Sequence, residues 1–269
     1  MPDALPPRER RVAPPPPEGM VRVRMRVAYD GAGFAGFAKN ADVRTIEGEL
    51  EATLALVLRH DVKLTCAGRT DRGVHARGQV ITFDADASHF EPSALSRALN
   101  RMLGPEMAFD RVEQAPPDFD ARFGCTGRTY RYHVHNHPTV DPLYRHVRWH
   151  VRETLDLEAM NAAAGHAVGV HDFTTFSKKN KSRPHESFVR DVRAADWSVD
   201  GDATVFEITA NAFTHQMVRS LVGMLVEIGR GRRDASEMPV VLTAMERDAA
   251  PSPAPGHGLV LWEAHYDAR

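Results

Sequence analysis

The chain has 269 residues, 42% of them hydrophobic, a net charge of −2 and two cysteines. That length holds one large or two small domains with a real core. Cys66 and Cys125 form no CxxC pair, which argues against a disulfide framework or a cysteine-rich zinc site and favours a reducing compartment, so a cytoplasmic protein is expected.

Residues 1–18, "MPDALPPRERRVAPPPPE", cannot fold alone and read as a disordered Pro- and Arg-rich tail. They contain no apolar core of a secretory signal. "VRVRMRVAYD" (21–30) alternates, with Val21, Val23, Met25 and Val27 on one face and Arg22, Arg24 and Arg26 on the other. This predicts a half-buried strand with a basic outer face. "TIEGELEATLALVLRH" (45–60) reads as a helix capped by Thr45, with Ile46, Leu50, Leu54, Val57 and Leu58 inward. "GQVITFDAD" (78–86) predicts a strand. A helix follows at 93–103 with Ser93 as cap and Leu95, Leu99, Met102 and Leu103 inward, then a strand near 107–113.

The pattern then restarts. "RTYRYHVHN" (128–136) alternates Tyr130, Tyr132 and Val134 against Arg131, His133 and His135. A helix is predicted at 155–168, a basic loop at 176–187 and a strand at 204–213. "THQMVRSLVGMLVEIGRG" (214–231) is a helix with Met217, Val218, Leu221, Val222, Leu225 and Val226 buried, ended by Gly229 or Gly231. Its apolar run is interrupted by Glu227, so no membrane span is expected. "GLVLWEAHY" (258–266) is a last strand. Strands and helices mix without a βα rhythm, which points to α+β with a largely antiparallel sheet. The expected organisation is the tail, an N-terminal α+β half at 19–115 and a C-terminal α+β half at 116–269.

Charge is segregated along the chain. Residues 122–152 carry six Arg against Asp141 alone, and 177–193 carry three Lys and three Arg against Glu186 and Asp191. The acids gather at 84–120, 153–158 and 196–207. Such a sequence can build a basic face on a nearly neutral protein.

Two motifs invite other readings. "GAGFAG" (31–36) matches G-x-G-x-x-G, but a dinucleotide site needs the last glycine inside the receiving helix, and "FAKNADVR" intervenes. A glycine-rich turn is the better reading. His133, His135 and His137 alternate on one strand, with His146 and His150 nearby, yet no Glu or Asp beside them has an evident ligand role. An exposed strand facing RNA or solvent is expected, with no metal.

"CAGRTDRGVHARG" (66–78) is different. It sets Asp71 among Arg69, Arg72, Arg77 and His75, with Gly68, Gly73 and Gly78. A surface turn with an ion pair would be energetically trivial. Three glycines let backbone approach a partner closely, and the flanking helix and strand hold the loop. Together they describe a fixed carboxylate in an anion-binding basin, where a carboxylate can act as a nucleophile.

"CAGRTDRGVHARGQV" closely resembles the catalytic motif of the tRNA pseudouridine synthase A family. "YDGAGFAGF" (29–37), "FDARFGCTGRTYRYHVHN" (119–136), "HDFTTFS" (171–177), "NAFTHQMVRSLVGMLVEIG" (211–229) and "APGHGLVLWEAHY" (254–266) resemble family segments in the same order. One departure stands out: the usual Trp-Gln after the glycine is Phe37-Ala38 here. The resemblance implies a pseudouridine synthase fold: two α+β halves, a largely antiparallel or mixed central sheet flanked by helices, and an active-site cleft between the halves. It implies isomerisation of uridine to pseudouridine in the anticodon stem–loop of tRNA, at positions 38, 39 and 40, with no cofactor. Asp71 would be the nucleophile or base. Tyr130 would stack on the uracil or move a proton, and Arg219 would pair with Asp71. Arg69 would fill the stack left by the extruded base. His75, Lys178, Lys179, Lys181 and Arg183 join Arg69 and Tyr130 as expected substrate contacts. A homodimer with tRNA as partner is implied as well.

Overall fold

The computed structural model of the chain describes residues 13–179 and 187–267. They divide into two compact units. One ends at Thr126 and takes up the chain again from Leu261; the other is Gly127–Val260. The division falls at 126/127 rather than at 115/116, because residues 115–125 pack into the first unit.

The first unit contains β1 (Met20–Tyr29), α1 (Ile46–Leu58), β2 (Thr65–Cys66), β3 (His75–Asp86), α2 (Pro92–Leu103) and β4 (Met107–Gln114). β1 lies in the middle, antiparallel to β3 on one side and to β4 on the other, and β2 pairs with β3. Val23, Met25 and Val27 are fully buried, opposite Phe83, Ile81 and Gln79 of β3. The period-two pattern thus produced the face it predicted. Thr45 caps α1 by accepting from the Gly48 N–H, and Ile46, Leu50 and Leu54 are buried; Val57 and Leu58 are only half-buried. The cap of α2 is Glu91, not Ser93. The Glu91 carboxylate accepts from the Ser93 and Ala94 N–H groups, and Pro92 takes the first helical position. A carboxylate at the positive end of the helix serves there at least as well as a hydroxyl.

The arginine face of β1 is partly covered, most completely at Arg22. Residues 115–125 cross it and form a second small core of Ala67, Val80, Ala115, Phe119, Ala121 and Cys125, with Ala264 and Tyr266 packed against it. The Arg24 guanidinium lies over the rings of Phe119 and Tyr266, 5.2 and 4.7 Å from their centroids. Arg22 is 7% exposed; it donates to Asp84 at 2.5 Å, to the Phe119 carbonyl at 2.7 Å and to the Pro14 carbonyl at 2.9 Å. The Ala13 N–H also reaches the Asp118 carbonyl at 3.4 Å. Residues 13–18, expected as the end of a disordered tail, are therefore held; residues 1–12 lie outside the described chain.

The second unit contains β5 (Gly127–Asn136), β6 (Trp149–Val151), α3 (Leu157–Gly165), β7 (Gly169–Asp172), β8 (Val189–Asp200), β9 (Ala203–Ala210), α4 (Met217–Gly229) and α5 (Glu237–Thr243). Its strands run β5-β9-β8-β7, antiparallel throughout, with β6 parallel to β5. Tyr130 faces Ile208 and Tyr132 faces Phe206 across the β5–β9 ladder. The apolar side of α4 is buried as expected. β8 has no apolar alternation, since "VRDVRAADWSVD" is held by pairing with β7 and β9 rather than by its own burial. β10 (Leu259–His265) is the strand on which the division between units falls.

Breaking the Arg22 cluster tests the buried face of β1. Arg22→Met is expected to cost about 2 kcal/mol, because Asp84 and the Phe119 carbonyl would be deprived of a buried donor. A lower urea midpoint with an unchanged slope is the expected readout.

Candidate active site

The Asp71 loop is short because β3 begins at His75, three residues before the predicted strand. It is fastened at each step. The Ala67 N–H donates to the Val80 carbonyl at 2.8 Å, the Phe37 N–H to the Thr70 carbonyl at 2.9 Å, and the Val74 N–H to the Asp71 carbonyl at 3.1 Å. Gly73 takes the left-handed conformation at φ +72 that closes the turn. Asp71 is half-buried, while Arg69 and Arg72 are exposed. The backbone that carries Asp71 is thereby fastened, with an exposed arginine on either side in the chain.

"GAGFAG" supplies the other wall. A Cβ on Gly31 would lie 2.1 Å from the Val74 carbonyl oxygen, so only glycine allows this approach. Gly36 has φ +118, and a Cβ there would sit 3.1 Å from the Thr70 carbonyl oxygen and 3.3 Å from the Arg72 nitrogen. The helix that follows starts at Ile46, with its N–H on the Gly36 carbonyl at 3.2 Å. The turn therefore packs on the Asp71 loop and presents no helix N-terminus at its last glycine. Phe37 is fully buried near the Tyr29 ring.

His75 stands inside this framework rather than on its surface. It is 6% exposed, its Nδ1 accepts from the Gly31 N–H at 3.0 Å, and the Asp30 carboxylate is also 3.0 Å away. Arg77 is exposed and stacks on Trp262 at 4.4 Å.

In the second unit, residues 211–216 gather the remaining candidates. Tyr130 is 7% exposed, with Phe213 edge-on to its ring at 5.0 Å. The Lys178 N–H donates to the His215 carbonyl at 2.9 Å, and the Ser177 and Thr214 hydroxyls are hydrogen-bonded. Lys178 and Lys179 are exposed where the chain enters the basic loop. Lys181 and Arg183 lie outside the described residues. Gln216, at φ +64, turns the chain into α4. One turn later, Arg219 is half-buried, its Nε donating to the Ala254 carbonyl at 2.7 Å, while the Ala254 N–H donates to the Arg219 carbonyl at 2.9 Å. The neighbouring Tyr132 is buried, and desolvation pushes its phenol well above the ordinary range, so it stays protonated and donates to the Pro255 carbonyl at 2.8 Å.

The histidine strand differs from expectation. His135 is 9% exposed and stacks on His137 at 5.5 Å, with His150 and Tyr144 each 5.8 Å away. Burial lowers the pKa of His133. Among the described residues, no group of three or more His, Cys, Asp or Glu is arranged to hold a metal ion. The basic run 122–152 is also partly neutralised in space: Arg131 pairs with Glu207 at 2.6 Å and Arg148 with Asp202 at 2.8 Å. No helix among the described residues is long and apolar enough to cross a membrane.

Tyr29, Thr70 and Gln79 lie inside the quoted motifs, but the sequence reading gave them no role. They are buried and polar, and they hydrogen-bond around the loop. A glutamine inside the apolar strand "QVITF" was the available signal.

The first unit thus sets an acidic residue in a tightly fastened loop, with exposed arginines beside it. A family model described as tRNA pseudouridine synthase matches residues 25–124 and 163–267. The tRNA pseudouridine synthase A of Streptomyces griseus subsp. griseus is 44% identical over 260 residues, covering 93% of this chain and 89% of that protein. Those of Halalkalibacterium halodurans and Myxococcus xanthus are each 40% identical, covering 90% and 92% of this chain and 91% and 92% of theirs. The chain belongs to the tRNA pseudouridine synthase family, and its fold is the α+β fold expected from the sequence.

The close approach at Gly31 makes a direct prediction. Gly31→Ala should lower pseudouridine formation about tenfold or more, since displacement of a reacting group by an ångström has effects of that order. Far-UV circular dichroism should be unchanged, which checks that the fold is intact.

Proposed function

We propose that this chain isomerises uridine to pseudouridine at positions 38, 39 and 40 in the anticodon stem–loop of tRNA, as a cytoplasmic homodimer and without a cofactor. The observation that carries the reading is the rigid placement of Asp71 in an arginine-flanked loop. The reaction breaks the N1–C1′ glycosidic bond, turns the uracil and joins C5 to C1′. C5 gives up its proton and N1 gains one, so nothing is oxidised or reduced. Asp71 supplies the carboxylate that starts cleavage. Tyr130 provides a ring against the extruded uracil and a hydroxyl for proton movement. Arg219 orients the Asp71 carboxylate. The bond from its Nε to the Ala254 carbonyl holds the Arg219 side chain in one orientation within its own unit.

Extruding a stacked base costs a few kcal/mol, which phosphate contacts elsewhere offset. The exposure of Arg69 suits a side chain that fills the vacated stack. Lys178 and Lys179, exposed at the mouth of the basic loop, suit contacts to the RNA backbone, and Lys181 and Arg183 extend the same basic run. Contacts of this kind read shape rather than sequence, as an enzyme acting on adjacent uridines requires. His75 takes part indirectly, by holding the loop to the glycine turn.

Asp71→Asn keeps the side-chain shape and removes its charge. Tritium release from 5-tritiated uridine in tRNA should vanish, while tRNA affinity stays equal or rises slightly because an anion leaves the RNA-facing basin. Tritium release at the wild-type rate would sink the assignment. Separately, Lys178→Ala with Lys179→Ala should weaken tRNA binding and reduce the slope of log K against log salt by roughly 0.7–0.9 for each phosphate no longer neutralised. Binding titrations at several salt concentrations measure it.

A further inference from the structure

The Asp71 loop is held by more than its own backbone. Two buried polar side chains from other elements reach it. Gln79 of β3 is fully buried and Tyr29 of β1 is 4% exposed. The Gln79 Nε2 donates to the Gly68 carbonyl at 2.6 Å, while its Oε1 accepts from the Gly68 N–H at 3.3 Å. One amide side chain thus pairs with both polar groups of one residue, as a neighbouring strand would. The same Nε2 lies 3.5 Å from the Tyr29 hydroxyl, which in turn lies 2.7 Å from the Thr70 hydroxyl. Gln79 thus links Gly68 to Tyr29, and Tyr29 links on to Thr70, one residue short of Asp71.

A buried amide or phenol is destabilising unless its hydrogen bonds are met, so these residues are not economical core fillers. Leu at 79 and Phe at 29 would pack the same space more simply. What the polar versions add is direction: they fix the height of Gly68 and the rotamer of Thr70. A reacting carboxylate needs placement to a fraction of an ångström, and buried networks supply that rigidity.

We propose that Gln79 and Tyr29 are positioning residues, which set where the Asp71 carboxylate stands by clamping Gly68 and Thr70. The inference rests on the reading of Asp71 as the reacting group. Gly68 and Thr70 are the points through which both residues act.

Four variants test it: Tyr29→Phe, Gln79→Leu, Thr70→Val and Thr70→Ser. Single-turnover tritium release at saturating tRNA is measured with tRNA affinity and thermal midpoint, at a temperature where each protein is folded. Tyr29→Phe and Thr70→Val should each slow release about tenfold, and Gln79→Leu up to about a hundredfold, with affinity within about twofold of wild type. The double variant Tyr29→Phe with Thr70→Val should be no slower than the slower single one, because Tyr29→Phe already removes the hydrogen bond that Thr70→Val removes. Thr70→Ser, which keeps the hydroxyl, should retain most of the rate that Thr70→Val forfeits.

A residue with a purely structural role would lower the thermal midpoint and leave the single-turnover rate of the folded protein alone. The proposal is overturned if Tyr29→Phe and Thr70→Val both turn over within about twofold of wild type, if their effects multiply, or if affinity falls in place of rate. Should Gln79→Leu not fold, the Tyr29 and Thr70 variants still decide. Asp71→Asn separates the two readings. If it stays active, the assignment of Asp71 fails. If it is dead while the Tyr29 and Thr70 variants are normal, only the positioning role fails.

Discussion

The first unit depends on the backbone at Gly31 lying closer to Val74 than any side chain permits. At Gly31 the place of a Cβ is taken by the Val74 carbonyl; at Gly36, φ of +118 favours glycine, and a Cβ would sit tightly, 3.1 Å from the Thr70 carbonyl oxygen. Glycine is costly in an ordered chain because it surrenders the most conformational freedom. Here that cost gives a flat floor beneath the Asp71 loop. With the floor in place, the N–H of Phe37 reaches the Thr70 carbonyl and the N–H of Gly31 reaches His75. The buried hydroxyls and amide of Tyr29, Thr70 and Gln79 then find partners within the protein itself.

The second unit solves a similar problem with different means. Residues 211–216 tie the end of β9, the mouth of the basic loop and the first turn of α4 into one knot. Gln216 accepts a left-handed conformation that glycine would adopt more readily, and α4 has no side-chain cap at its N-terminus. The proline-rich segment before β10 supports the helix from the other side. A Cβ on Gly223 would meet the Ser252 carbonyl at 2.4 Å, and Arg219 exchanges hydrogen bonds with Ala254. Arg219 is thus placed by a helix and a strap together, and Tyr130 by a ladder and an aromatic edge.

Charge shows why counts along a sequence mislead. The run 122–152 is strongly basic as a string, yet Arg131 and Arg148 find acids that come from β9 and the turn before it. Arg26 of β1 likewise pairs with Asp110 of β4. Exposed pairs of this kind contribute little to stability. Their effect is on the field, which they cancel locally. The exposed arginines around Asp71 then weigh more heavily in what an approaching anion encounters.

Much of the molecule was legible in the sequence by itself. Period-two and period-3.6 patterns located β1, α1, β5 and α4, because one buried face imposes its rhythm on the residues that build it. Thr45 was legible as a cap because capping uses the residue's own neighbours. The Asp71 loop was legible because a carboxylate among arginines and glycines is improbable filler for a core. Other features existed only in the tertiary structure. β8 lacks an apolar rhythm and is a strand because β7 and β9 pair with it. The arginine face of β1 was expected in solvent and is covered at Arg22 and in part at Arg24, since nothing in an alternating strand reveals that residues 115–125 return across it. His135 was expected exposed and is buried by a segment that follows it. "GAGFAG" read as a turn, and its purpose lay in Val74, more than forty residues away in a part of the chain that local spacing cannot reach. Local rules decide which residues want burial, capping or a turn; which backbone comes to lie against them is decided by long-range packing alone.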